Sequence, residues 1–131
     1  MSMELIATKI CKVSDIGIYN NLFGGTMLSW IDEAGGTMAS VKCCTPSMIT
    51  LKIDEVVFKQ PVKANEHIRI YGKIDRLGTT SISLYLEARR FDFQKHEEDM
   101  VCSTRMTFVR IDKDGNAIPI EKKIRDKYKN Y

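Results

Sequence analysis

Residues 21–35 have the sequence NLFGGTMLSWIDEAG, and this stretch contains the start of a predicted helix. A helical pattern begins at Thr26 and extends to about Lys42. Apolar side chains recur in it at steps of three and four residues, at Met27, Ile31, Ala34, Met38 and Val41. A more polar stripe runs beside them, at Thr26, Ser29, Glu33, Thr37 and Ser40. Such spacing is typical of an amphipathic helix with one buried face.

The segments that flank this helix have the alternating pattern of β-strands. One strand is predicted before the helix, over residues 4–13. Four are predicted after it, over 48–58, 67–74, 80–93 and 100–111, with a polar turn at 94–98. The four-residue spacing of Ile120, Ile124 and Tyr128 predicts a short terminal helix. We therefore predict a single α+β domain over residues 1–131, in which a five-stranded antiparallel sheet, a meander after the helix, wraps around one long central helix.

A sheet of this kind has open edges, and edge strands attract partners unless they are blocked. The strand over residues 80–93 is long. Pairing it with its own copy across a two-fold axis would make one continuous sheet from two chains. We therefore expect at least a dimer, with this strand at the interface.

The composition argues against several classes of protein. The 131 residues are 44% hydrophobic and 28% charged, as in ordinary globular domains. The net charge is +3, and the C-terminal tail over 121–131, with five basic and two acidic side chains, accounts for it. The basic face expected of a nucleic-acid binder is therefore missing. No apolar run approaches the ~20 residues that span a membrane, and no signal peptide is recognised.

The cysteines and histidines do not suggest a metal site. The four cysteines (Cys11, Cys43, Cys44 and Cys102) form no C-x-x-C pair, and no Cys/His spacing fits a metal. We expect reduced, packed thiols, a cytoplasmic location and no cofactor. His67 at a strand start and His96 in an acidic turn are expected to be structural or solvated.

Asp32 is the most informative residue for function. It lies about two turns into the helix, on a face that it shares with Leu28, Gly35 and Gly36. Glycine costs a helix about 1 kcal/mol relative to alanine, so the adjacent pair requires a reason. Either Asp32 is a solvated or capping aspartate and the glycines accommodate close packing, or another backbone or a ligand must approach there. Residue type and spacing favour the first explanation.

Gly24 and Gly25 stand where the helix begins. The first backbone N–H groups of a helix lack partners, and the positive end of its dipole favours anions. These groups could hold an oxyanion that develops on a carbonyl. A plain junction between loop and helix is the commoner explanation of an isolated Gly-Gly.

The stretch over residues 21–35 resembles the signature of the hotdog-fold acyl-CoA thioesterases, which is Asn or Asp, two residues, Gly-Gly, six residues and a catalytic Asp. Three other segments resemble the family too: FKQPV at 58–62, GTTS at 78–81, and the closing strand and turn at 105–118. The resemblance covers residues 5–120. Bacterial members of the family often have Asp at the position of Asn21. An Asn at this position resembles the mammalian cytosolic members.

The resemblance implies a role for each motif. Asp32 would be the general base or the nucleophile, and the N–H groups near Gly24 and Gly25 would hold the oxyanion. Asn21 would face the partner subunit's aspartate, which places the site at a dimer interface. Coenzyme A, as part of substrate and product, would contact the turn formed by Gly78, Thr79, Thr80 and Ser81. The acyl tunnel would be lined by residues such as Phe23, Met27, Leu28 and Phe58.

The resemblance also suggests a trimer of dimers. Exposed basic residues would meet the phosphates of coenzyme A, and the candidates are Lys59, Arg89, Arg90 and the tail. Two alternatives stay open. One is a hotdog hydratase or dehydratase, which would need a catalytic histidine near the helix. The other is an acyl-CoA sensor that binds without catalysis.

Overall fold

The computed structural model describes residues 2–130. Strand β1 spans Glu4–Ile10, helix α1 spans Gly24–Cys43, and strand β2 spans Met48–Phe58. Strands β3 (His67–Leu77), β4 (Ser81–Asp92) and β5 (Glu97–Arg110) follow, and the short helix α2 (Lys122–Lys127) comes last. The predicted order of one strand, a long helix, four strands and a terminal helix is confirmed.

Element boundaries differ from the prediction by a few residues. Helix α1 begins at Gly24, two residues before the predicted start. Strand β1 ends at Ile10, because Val13–Asp15 forms a 3-10 turn, and β3 continues to Leu77. Strand β5 begins at Glu97, so the turn before it is shorter than predicted.

The five strands form one antiparallel sheet in the order β1-β3-β4-β5-β2. The prediction of a meander is therefore right for β3, β4 and β5 and wrong for β2, which crosses over to pair with β5. The prediction that the strand over residues 80–93 pairs with its own copy at a dimer interface is also wrong. Strand β4 has β3 on one side and β5 on the other, so its hydrogen-bonding edges are already used. The free edges belong to β1 and β2.

Helix α1 packs against one face of the sheet. Alternate residues of the central strands point at it and are buried, including Ile68, Ile70, Ile82, Leu84 and Leu86. Each such side chain contributes roughly 1.5–3 kcal/mol when it leaves water. The helix buries Met27, Ile31, Ala34 and Met38 in return, as predicted. Val41, also predicted on the apolar face, is 71% exposed because it faces away from the sheet near the end of the helix.

Gly35 lets the helix approach the sheet. A Cβ atom at this position would lie 2.8 Å from Cδ1 of Leu86 and 3.0 Å from Cζ of Phe108. The same atom at Gly36 would meet only Cε1 of Phe108, at 3.7 Å. Close packing therefore explains Gly35, which is the explanation that the sequence pattern favoured, but it does not explain Gly36.

Strand β2 is an edge strand with an unusual amount of exposed apolar surface. Its large side chains Ile49, Leu51, Ile53, Val57 and Phe58 are all exposed, and Leu51 and Phe58 are 60% and 54% accessible. Polar or charged side chains are the usual protection of an edge. An edge of this composition is suited to pairing with another chain.

The remaining predictions concern the tail and the thiols. Ile120 and Tyr128 are buried on either side of α2, as the spacing indicated. All four cysteines are free; Cys11, Cys43 and Cys102 are buried and Cys44 is exposed. Within residues 2–130, no helix has the length and apolarity to cross a membrane.

Candidate active site

The carboxylate of Asp32 is half-buried and is held by a side chain from the sheet. The hydroxyl Oγ1 of Thr50 donates a hydrogen bond of 2.6 Å to its Oδ1. Thr50 pairs with Phe108, whose ring packs against α1, so the threonine points to the helix side of the sheet. The sequence analysis missed Thr50. A threonine among the apolar residues of an edge strand was the available signal, but nothing in the sequence indicates that it meets Asp32.

The first turn of α1 has free amide groups. Phe23 is the N-cap and makes no capping hydrogen bond through its side chain, and the turn holds no acidic residue. The amides of Thr26 and Met27 donate to the carbonyl oxygen of Phe23. Among residues 2–130, no acceptor is found for the amides of Gly24 and Gly25. These two donors stand at the positive end of the helix dipole.

A cleft of about 320 Å³ opens beside this turn. It brings together Asn21, Gly24, Met27 and Phe58, four residues that were predicted to form the site or its acyl tunnel. The other lining residues are Leu22, Lys59, Gln60, Pro61, Val62 and Val101. The walls are mainly apolar, and Asn21 is among the polar residues of the lining.

Two aromatic rings flank the glycine pair, and both belong to residues that were predicted to line an acyl tunnel. The ring of Phe58 lies against Gly24, where an added Cβ would be 3.5 Å from its Cζ. The ring of Phe23 lies against Gly25 in the same way, at 3.4 Å from its Cε2. Both rings are more than half exposed in a single chain. Such rings would be covered by a ligand or by a second chain.

The turn between β3 and β4 lies apart from this cleft. The amide of Gly78 donates to the carbonyl oxygen of Ser81 at 2.8 Å. A separate polar cleft of about 480 Å³ includes Gly78, Thr79 and Ser81. Thr80, the remaining residue of the predicted motif, belongs to the same turn, and its carbonyl oxygen accepts a hydrogen bond from the amide of Arg110.

Three basic side chains lie around this polar cleft, which is also lined by Asp54 and Asp75. They are Lys52, Arg76 and Arg105. Arg105 contacts Asp75 at 3.3 Å, and Lys52 contacts Asp54 at 3.6 Å. Arg76 forms no ion pair with any residue in 2–130 and is exposed.

The basic candidates chosen from sequence lie elsewhere. Arg89 is bound to Glu87 and Glu98 on the outer face of the sheet. Arg90 donates to the carbonyl oxygen of Pro61 and contacts Glu66. Lys59 lines the cleft beside Asn21. The structure thus adds Arg76, which the sequence analysis did not consider.

One chain does not assemble the predicted residues into one site. Asp32 is eight residues along α1 from Gly24, which corresponds to about 12 Å at 1.5 Å per residue. It does not line the cleft that contains Asn21. Asp32 and Asn21 therefore do not line a common cleft within one chain.

The histidines do not lie in that cleft. His67 packs edge-on against the ring of Phe93, with centroids 4.9 Å apart. His96 is exposed in the turn before β5. Within the described part of the chain, no group of three or more His, Cys, Asp or Glu side chains could hold a metal ion.

Known proteins resemble this chain in sequence and in structure. Residues 19–94 match the family model of the thioesterase superfamily. A hexameric hotdog-fold thioesterase of Campylobacter jejuni is 32% identical, with 96% of each chain covered and a TM-score of 0.82. An aspartate-to-alanine variant of HI0827, a hexameric broad-specificity acyl-coenzyme A thioesterase, is 21% identical; 92% of this chain and 88% of that one are covered, with a TM-score of 0.86.

A curated relative gives the same result from sequence alone. The uncharacterised acyl-CoA thioester hydrolase YkhA of Bacillus subtilis is 24% identical over 129 residues, which cover 90% of this chain and 74% of the relative. The family model extends over more than half of the chain and includes Asn21, the glycine pair, Asp32 and the turn at 78–81. The chain has the hotdog fold and belongs to the thioesterase superfamily.

Proposed function

We propose that this protein hydrolyses fatty acyl-CoA thioesters to the free acid and coenzyme A, with Asp32 as general base or nucleophile. The observation that carries the proposal is the carboxylate of Asp32, oriented by Thr50 on the inner side of an open sheet edge. Family membership supplies the reaction class, and the names of the relatives suggest the acyl-CoA substrate.

The chemistry requires few groups. In the general-base route, Asp32 takes a proton from water while the water oxygen bonds to the thioester carbonyl carbon. Negative charge develops on the carbonyl oxygen, and the free amides of Gly24 and Gly25 would stabilise it. The C–S bond then breaks, and the sulfur leaves as a thiolate that takes up a proton. Because a thiol has a pKa of about 8.5, its thiolate leaves without strong acid catalysis.

The site we propose is shared by two chains. Asp32 and Thr50 would come from one chain, and Asn21 with the start of α1 from the other. The separation of these residues within one chain supports this arrangement, as does the exposed apolar surface of β2. Pairing two β2 edges would give a continuous ten-stranded sheet. The hexameric relatives make a trimer of dimers the assembly to test.

A hydrolysis assay tests the proposal directly. Thiol release from acyl-CoAs of increasing chain length should show turnover and define the substrate range. Asp32→Asn keeps the size of the side chain and an acceptor for Thr50, and it should lower kcat by at least about a hundredfold. Thr50→Val should lower kcat by roughly tenfold, the cost of a hydrogen bond to a charged group.

Glu33→Gln is the matched control, because Glu33 is the adjacent carboxylate and is exposed. It should retain wild-type turnover. Full activity of Asp32→Asn would exclude the mechanism. Tight binding of acyl-CoA by the wild type without any thiol release would instead identify a sensor.

A further inference from the structure

Lys63 does not line the cleft itself and makes two contacts with the loop that precedes α1. Its Nζ donates to the carbonyl oxygen of Tyr19 at 3.1 Å and to Oδ1 of Asn21 at 2.5 Å. The backbones meet at the same place, since Asn21 and Lys63 form an isolated antiparallel bridge and the amide of Leu22 donates to the carbonyl oxygen of Val62 at 2.7 Å. The side chain of Lys63 therefore joins the loop to the segment before β3.

The loop held in this way has an unfavourable backbone. Tyr19 and Asn20 both have left-handed φ angles, of 57° and 59°. Residues with a Cβ atom rarely adopt this conformation, and two in succession persist only when the surroundings fix them. The bond from Lys63 to Tyr19 and the 2.7 Å bond from the amide of Gly17 to the carbonyl oxygen of Asn21 supply such restraints.

The second contact of Lys63 fixes the direction of the Asn21 amide. An ammonium group only donates hydrogen bonds, so the atom that it meets on Asn21 must be the oxygen. The NH₂ group of Asn21 then points away from Lys63, and Asn21 lines the cleft together with Gly24. In this orientation the side chain offers a donor to whatever occupies the cleft.

We propose that Lys63 is a positioning residue: it holds the loop over 19–21 and fixes Asn21 as a hydrogen-bond donor in the lining of the acyl cleft. The inference rests on the proposed function for its effect on catalysis. The effect of Lys63 on the geometry of the loop can be tested independently of the proposed function. Lys63 acts through Asn21 and does not contact the reacting atoms.

A double-mutant cycle tests the coupling. Lys63→Met keeps the length and the apolar stem of the side chain and removes its donors. We expect kcat to fall by roughly ten- to a hundredfold, as for a misplaced active-site group, with KM changed less than twofold. In the background of Asn21→Ala, the same change should cost less than a further twofold, because coupled residues are not additive. Lys63→Arg, which keeps a donor, should recover part of the activity.

Lys113→Met is the control, because Lys113 is exposed in the turn after β5, does not line the cleft, and makes no side-chain hydrogen bond or ion pair within residues 2–130. It removes the same charge and should leave kcat unchanged. Equal losses of kcat from Lys63→Met in the wild-type and in the Asn21→Ala background would overturn the proposal. A rise in KM alone, with kcat unchanged, would overturn it too, because Lys63 would then attract the anionic substrate instead.

A spectroscopic readout separates this proposal from the proposed function. In ¹⁵N-labelled protein, Lys63→Met should shift the side-chain NH₂ resonances of Asn21 and broaden the backbone resonances of residues 19–21, whereas Lys113→Met should not. Unchanged resonances would refute the role of Lys63 even in an active enzyme. If the wild type hydrolyses no acyl-CoA but the resonances respond as expected, the proposed function fails while the positioning role of Lys63 in the loop stands.

Discussion

Arg76 is the exposed cation beside the turn over 78–81 that makes no ion pair within residues 2–130. We predict that Arg76→Ala raises KM for acyl-CoA about fivefold and leaves kcat unchanged, because an exposed ion pair with a phosphate contributes up to about 1 kcal/mol. The effect should disappear with an acyl-pantetheine substrate, which lacks the nucleotide. Lys113→Ala, in the exposed turn after β5, is the control and should alter neither KM. An equal rise in KM for both substrates would place Arg76 at the acyl or pantetheine part of the site.

The residues of the candidate site differ in how readily the sequence reveals them. Asp32 and Gly24 stand in one short motif, so spacing and resemblance identify both. Thr50 is eighteen residues from Asp32 and on another element, and a register shift between Thr50 and Lys52 interrupts the alternation of β2. Arg76 was missed because β3 extends beyond Ile74, where its clear alternation ends. Contacts of this kind depend on strand register, which a single sequence specifies weakly.

At the scale of one element, the two glycines of α1 allow a matched comparison. We predict that Gly35→Ala destabilises the protein by about 1–3 kcal/mol, because its methyl group would overlap Leu86 and Phe108. Gly36→Ala should instead stabilise it by up to about 1 kcal/mol, through helix propensity. Urea unfolding of both variants at constant protein concentration measures the two free energies. Loss of activity in a stable Gly36→Ala protein would show that a ligand or a partner needs the space.

The outer face of β3, β4 and β5 carries a second element-scale feature. Glu98 accepts hydrogen bonds from Oη of Tyr71 at 2.6 Å and from Nη1 of Arg89 at 3.2 Å. Burial acts to raise the pKa of Glu98, but these hydrogen bonds and the charge of Arg89 outweigh it and hold the pKa below its usual value. A lowered pKa in the folded state means that the stabilisation is complete above the unfolded value and is lost as the pH falls through the folded value.

The corresponding prediction concerns stability in acid. Glu98→Gln should lower the urea midpoint at neutral pH, where the carboxylate is ionised and bonded. The difference from the wild type should begin to shrink as the pH falls below about 4. It should vanish only below the lowered pKa of folded Glu98, where the carboxyl is protonated in both states. Glu97→Gln, at the exposed start of β5, is the control and should show little difference at any pH. A constant difference across the whole pH range would mean that Glu98 stabilises through packing alone.

For the whole molecule, alternation and periodicity predict the number and type of the elements but not the order of the strands. The alternating residues of β3 and β4 are buried on one face, and the prediction is accurate there. Strand β2 has exposed apolar residues along its length, which a single chain cannot explain. Its position at the edge, beside β5, follows from the crossover that carries the chain from β2 to β3 on the other side of the sheet. The length of β4 therefore suggested it as the interface strand, whereas the topology pairs both edges of β4 and leaves an edge of β2 free.

A shared site makes a prediction about mixed assemblies. Asp32→Ala and Asn21→Ala should each lose most activity as homo-oligomers. In a dimer of one chain of each kind, one site would lack both residues and the other would be intact. Chains with two different affinity tags can be co-expressed, and the doubly captured material assayed. If the captured assembly is a dimer, every molecule is mixed and has one intact site of two, so we expect about half of wild-type turnover per chain. In a trimer of dimers with random pairing, about half of the dimers are mixed, so we expect roughly a quarter.

Two controls complete this experiment. Asp32→Ala chains paired with differently tagged Asp32→Ala chains should stay inactive, which excludes recovery by the tags. Wild-type chains treated in the same way should keep full turnover, which confirms that assembly survives purification. If the mixed Asp32→Ala and Asn21→Ala material is as inactive as its parents while its oligomeric state is normal, then both residues act within one chain. Because Asp32 does not line the Asn21 cleft of its own chain, that result would require α1 or its preceding loop to rearrange when substrate binds.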